Sequence, residues 1–127
     1  MRPKPRNIKL YKKAREIFTL SRSISNYLIY DLATLQNNGS EDPHVYFTGD
    51  IVRQSNSLAP KIIDAENQIF QDDRLEEANS LISITNQLYK NCERLEQSNS
   101  NGKEFLILLR KELRKFKRLQ RNWMMSL

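Results

Sequence analysis

Apolar residues recur along the chain at steps of three or four, and four such rows can be followed. The first is Leu10, Ala14, Ile17, Ser21, Ile24, Leu28, Leu32 and Leu35, one face of a helix over about 8–37. Asn37-Asn-Gly-Ser begins the stop, and 38–47 reads as the main connection, punctuated by Gly39 and Pro43, with Glu41 and Asp42 able to serve the next helix start. The second row, Ile51, Ser55, Leu58, Ile62, Ala65 and Ile69, predicts a helix over about 47–71. Pro60 falls inside it and predicts a bend near 56–59, not a full break, because proline removes a backbone donor and clashes with the carbonyl four residues back.

Asp72 and Asp73 offer a cap for a third helix, about 73–97, with Glu76 and Glu77 in its first turn at the positive end of the dipole. Its face is Leu75, Ala78, Ile82, Thr85, Leu88 or Tyr89, Cys92 and Leu95. After the turn 97–102 comes the last helix, about 102–125, on Leu106, Leu109, Leu113, Phe116 and Trp123, flanked by Phe105 and Leu119. No alternating strand pattern of useful length is present. Long helices joined by short turns predict one all-α domain over 8–127, an antiparallel up-down-up-down four-helix bundle that makes the first and last helices neighbours.

Composition narrows the function classes. The chain has 127 residues, 39% hydrophobic and 28% charged, enough for one self-supporting core. Its longest apolar runs fall far short of the roughly 20 residues of a membrane helix, and no secretory apolar segment follows the basic start. The single Cys92 cannot form an internal disulfide and sits on an apolar row, which reads as a small buried hydrophobe in a reducing, cytoplasmic setting.

Charge is segregated. Residues 1–16 hold seven basic side chains against one acid, and 103–122 hold eight against two, while 17–102 hold six against twelve. Residues 1–7, with two prolines and no apolar period, read as a flexible basic arm. In the first helix Lys9, Lys12, Lys13 and Arg15, and in the last Arg110, Lys111, Arg114, Lys115, Lys117, Arg118 and Arg121, fall off the apolar rows. Such a run is either a solvated face or a phosphate-binding surface. Few intervening acids, only Glu104 and Glu112 in the last helix, favour the latter, because an ordinary exposed helix mixes signs. If the two basic faces merge, the partner is a polyanion, RNA or RNA/DNA, bound through phosphates without base readout. Tyr11 and Trp123 would either pack or stack on unpaired bases. The rival is a scaffold that binds an acidic protein.

Catalysis finds no constellation. His44 is the only histidine, the histidine pairs and cysteine spacings of metal sites are missing, and neither a phosphate-cradling glycine loop nor a nucleophile elbow occurs, so no enzyme activity, metal or cofactor is expected. Arg53 and Asp64, with Asp50 nearby, form either an exposed intrahelical pair or a tie between helices or subunits. Ser21, Ser55 and Thr85 lie in the apolar rows, where they either bond to the preceding turn or mark close approach.

Tyr46 to Ala65, with Ile51, Arg53, Ser57, Ile62 and Asp64 at similar spacing, resembles the signature helix of the four-helix-bundle proteins found in intervening sequences of bacterial large-subunit ribosomal RNA genes, and Leu10-Tyr-Lys-Lys-Ala14 resembles that family's opening. The chain departs at Pro60, Lys61, Asp64 and Ala65. The accessory variability proteins of diversity-generating retroelements share that architecture. The resemblance implies a homo-oligomer, a pentamer in those relatives, that binds nucleic acid alongside a reverse transcriptase, with Arg53, Ser57 and Asp64 at helix or subunit contacts.

Overall fold

The computed structural model describes residues 4–33, 44–98 and 100–127. Five helices follow in order: α1 Ile8–Ala33, α2 Val45–Asn56, α3 Leu58–Glu66, α4 Gln71–Glu96 and α5 Lys103–Met124. The described residues contain no strand, and none of their helices is long and apolar enough to cross a membrane. The all-α bundle expected from the periodicity is the fold. Leu35 and the expected helix stop near Asn37 lie outside the described residues, as does most of the 38–47 connection.

The single bent helix expected over 47–71 is two helices: the bend falls where expected but is a full interruption, dividing the segment into α2 and α3 at Ser57. Pro60 becomes the third residue of α3, where a backbone N–H would have no partner within that helix. Ser57 closes the break by donating its N–H and hydroxyl to the Gln54 carbonyl at 3.2 and 2.7 Å.

Two boundaries differ from the sequence reading. The second segment stops at Glu66, and Ile69, placed on its apolar row, is 85% exposed. Asn67 and Gln68 fold their side-chain amides back onto the Ile63 and Asp64 carbonyls at 2.7 and 3.2 Å, and the Arg74 guanidinium takes the carbonyls of Gln68 and Ile69. The chain thereby exchanges helix continuation for a side-chain-stitched turn. The next helix starts at Gln71, with extended Phe70 at its N-cap and no side-chain cap, so Asp72 and Asp73 act on the dipole of the first turn and do not cap it.

Every described member of the first row is buried, as are Leu106, Leu109, Leu113, Phe116 and Trp123 of α5. In α4 the core residue is Leu81, and Ile82, its sequence-expected neighbour, is only half-buried. Thr85 and Ser55 bond to the carbonyls of Leu81 and Val52 at 2.8 and 3.0 Å, the local satisfaction expected of hydroxyls in an apolar row. Ser21 Oγ departs from it, buried without a hydrogen-bond partner among the described residues.

Helix α1 packs on α2, α3 and α5, and α4 packs on α2, α3 and α5. Pairings at the ends set the sense of these contacts. Ser25 of α1 donates to the Thr48 carbonyl of α2 at 2.9 Å, whereas the start of α1 meets the end of α3. Asp31, late in α1, accepts from Ser100 Oγ at 2.6 Å and Asn101 N at 2.9 Å, just before α5 begins. Neighbours therefore run in opposite directions.

At the other end Glu66, 2% exposed, collects donors from two further segments. Oε1 accepts from Arg6 N at 2.9 Å, and Oε2 accepts from Asn7 N at 3.2 Å and Trp123 Nε1 at 3.0 Å. Asn7 in turn caps α1 by accepting from Leu10 N at 3.0 Å. Replacing Glu66 by alanine strands these donors around a cavity, and a loss of about 3 kcal/mol is expected from denaturant unfolding, against about 1 for glutamine, which keeps an acceptor.

Gly102 precedes α5 where a Cβ would stand 2.9 Å from Leu28 Cδ2 and 3.0 Å from the Tyr27 ring. Tyr27 is 43% exposed and able to give way, whereas Leu28 is fully buried. Gly102→Ala is expected to cost about 1 to 2 kcal/mol by overpacking, read as a lowered thermal midpoint with unchanged helical circular dichroism.

Candidate nucleic-acid interface

The two basic helices are neighbours, but their cations do not pool in the seam between them. Lys13 faces α5 and its Nζ lies 2.8 Å from both Glu16 Oε2 and Glu112 Oε2. Lys115 approaches from the other side, 3.1 Å from Glu112 Oε1. One glutamate on α5 thus neutralises the cations nearest the seam. Its carboxyl is held below the ordinary glutamate value, first by the Lys13 hydrogen bond and further by Lys115, against partial burial; Lys13 is raised in return by Glu112 and then Glu16.

The remaining α1 cations point elsewhere. Lys9, Lys12 and Arg15 are exposed. Arg15, with Tyr11 and Phe18, lines a groove shared with Asn56, Pro60 and Asp64, on the α2–α3 flank of α1. Helix geometry explains the division, because at 3.6 residues per turn positions 12, 13 and 15 leave the axis in three directions. The continuous α1–α5 cradle expected from sequence is therefore not the arrangement found.

On α5 the cations lean the opposite way, toward α4. Arg110, Arg114 and Lys117, one turn apart, surround Tyr89. The guanidinium carbons of Arg110 and Arg114 lie 5.6 and 5.9 Å from the ring centroid, and Lys117 Nζ lies 4.3 Å from it. The Tyr89 hydroxyl accepts from Arg110 Nη1 at 3.2 Å and Arg114 Nη2 at 3.1 Å. Arg110 also donates from Nη2 to Glu96 Oε1 at 2.7 Å, and its Nε lies 2.7 Å from Oε2 in the same ion pair without hydrogen-bond geometry. These two arginine hydrogen bonds, Arg110 first, lower the Tyr89 phenol below its ordinary value, and Glu96 followed by Tyr89 raises Arg110.

Lys111, Arg118 and Arg121 are exposed and make no ion pair or hydrogen bond among the described residues. Arg114 and Lys117 have no carboxylate partner there either. Sequence reasoning placed Tyr89 only as a candidate core residue. The available signal was its place at the edge of the α4 row, one residue from buried Leu88, where a large side chain reaches a neighbouring helix.

The second-helix residues act within their own segment. Arg53, its side chain 74% exposed, pairs with Asp50 one turn earlier. Ser57 serves the bend. Asp64 is exposed, and its carbonyl receives Gln68. Among the described residues neither Arg53 nor Asp64 ties one helix of this chain to another through a hydrogen bond or ion pair, and Ser57 joins only the adjoining α2 and α3. Trp123, 1% exposed and bonded to Glu66, is a packing residue, closed to base stacking. No group of three or more potential metal ligands occurs among the described residues. Cys92 is fully buried, and desolvation, ahead of the nearby Glu96, pushes its thiol up to about 12, which leaves it protonated at neutral pH.

No family model, curated protein or solved structure matches this chain. The likeness noted for Tyr46 to Ala65 and for Leu10 to Ala14 rests on those residues alone.

Because the folded-state value of Glu112 is depressed, its contribution to stability is present above the ordinary glutamate value and is lost as acidification carries the protein through the lowered one. Glu112→Gln should unfold at lower temperature than the parent near neutral pH. The gap, a few tenths to about 1 kcal/mol for so accessible a cluster, should close on acidification in a thermal unfolding series.

Proposed function

We propose that this protein binds RNA, or an RNA/DNA hybrid, without catalysing a reaction on it, through the outward face of α5 and the adjoining edge of α4. The observation that carries this reading is the run of α5 cations without carboxylate partners among the described residues, Lys111, Arg114, Lys117, Arg118 and Arg121, in a structure where Lys13, Arg110 and Lys115 do have them. From 111 to 121 the helix rises about 15 Å, so these groups form a track along which a phosphate backbone can lie. Affinity on such a track comes from counterion release and carries little sequence information.

The resemblance of the second segment supports a wider setting for the same activity, a cytoplasmic homo-oligomer, pentameric in the relatives, acting as an accessory to a reverse transcriptase. Five copies would multiply the unpaired cations around a ring and strengthen the field felt by a polyanion.

A second reading is favoured by Asp64, Asp72, Asp73 and Glu76, all exposed on α3 and the start of α4. They give the basic α5 face of another copy a surface to bind with no nucleic acid present, and an acidic protein of similar charge pattern would meet that α5 face in the same way.

Neutralising Arg114, Arg118 and Arg121 to glutamine separates the readings. On the nucleic-acid reading, affinity for single-stranded RNA falls steeply with salt, and the triple variant lowers the slope of log K against log salt by about 2 while the oligomer stays intact. Binding that is absent, or indifferent to salt, rejects it. Loss of self-association in the variant, without an effect on RNA, favours the second reading.

A further inference from the structure

Three α5 cations converge on one phenol, although a solvated helix face would let them spread apart under mutual repulsion. Among the described residues only Glu96 pairs with any of them, and it engages Arg110 alone. Glu93, one turn along α4 from Tyr89, is exposed and makes no hydrogen bond or ion pair among the described residues. Arg114 commits a single donor to Tyr89, of the five a guanidinium carries. Lys117 rests its ammonium on the ring and commits none of its three. Tyr89 thus holds two cations side by side with most of their donors unspent, and the neighbouring Arg118 and Arg121 add positive field without closing the cluster.

Convergent, pre-positioned donors with uncompensated charge are what a compact oxyanion requires. A phosphodiester inside a chain carries one negative charge, whereas a phosphate monoester carries roughly −1.5 to −2 at neutral pH and presents three acceptor oxygens. We propose that Tyr89, Arg114 and Lys117 form a binding site for a phosphate monoester dianion, the terminal phosphate of a nucleic acid strand or free inorganic phosphate, with Arg110, braced by Glu96, as its inner wall. Tyr89 is a positioning residue, holding Arg114 with its hydroxyl and Lys117 with its ring. The lowered phenol value fits a hydroxyl already surrounded by donors. Only the identity of the macromolecule rests on the nucleic-acid reading; the ligand chemistry stands apart from it.

The test is fluorescence anisotropy of one short oligoribonucleotide made with a 5′-phosphate, with a 3′-phosphate or with hydroxyls at both ends, at fixed salt, alongside calorimetric titration of the protein with inorganic phosphate. One of the phosphorylated forms is expected to bind about tenfold more tightly than the hydroxyl form, the worth of one charge-assisted hydrogen-bonded contact. Arg114→Gln with Lys117→Gln should weaken all three forms, as loss of two backbone contacts requires, and should also erase the preference, so that the phosphorylated and hydroxyl forms bind alike. Tyr89→Phe, which keeps the ring and removes the hydroxyl, should reduce the preference severalfold. All these changes are at surface positions, and helical circular dichroism checks the fold. Equal binding of all three forms, with no heat from inorganic phosphate, overturns the site and leaves the nucleic-acid reading standing. Phosphate binding with no oligonucleotide bound supports the site with free phosphate as its source, and the nucleic-acid reading falls. Binding of none of these ligands overturns both.

Discussion

The buried carboxylate of Glu66 is the joint on which the rest of the bundle turns. Among the described residues it has no cationic partner, and it is held by backbone N–H groups at the start of α1 and by the Trp123 indole. The positive end of the α1 dipole supplies much of what a counter-ion would otherwise supply. Three separate parts of the chain, the segment entering α1, the last turn of α3 and the last turns of α5, are thereby fixed at one point.

That joint bears on the charged surface, because it sets how α5 is rotated. With Trp123 drawn inward and Phe116 and Leu113 buried on the same side, Arg114, Lys117 and Arg121 lie on the flank toward α4 and Lys115 on the flank toward α1. The flank toward α1 meets Glu112 and is neutralised. The flank toward α4 meets Tyr89, and Glu96 reaches only Arg110. One helix of nearly uniform charge thus ends with one quiet side and one unbalanced side.

Tyr89 also shows how an aromatic ring substitutes for a carboxylate without cancelling charge. Its face attracts cations through the ring quadrupole, worth about 0.5 to 1 kcal/mol each at accessible positions, and its hydroxyl accepts hydrogen bonds, yet it adds no negative charge. Cations gathered in this way keep their field. A glutamate at the same place would gather them and silence them.

The periodic rows were legible in the sequence because burial of an apolar stripe is a local property of spacing, and the rows from Leu10 to Leu32 and from Leu106 to Trp123 are buried as the spacing predicts. A bend ahead of Pro60 was legible for the same reason, since one residue's covalent geometry forces it, but its deepening into a full interruption at Ser57 was not. The end of α3 was not, because the amides of Asn67 and Gln68 and the reach of Arg74 decided it against a repeat that pointed onward to Ile69. Composition determined that the two outer segments carry the positive charge. Which of those charges are spent depended on the rotation of each helix against its neighbours, a quantity that no residue specifies alone because it is settled by packing between segments distant in the chain.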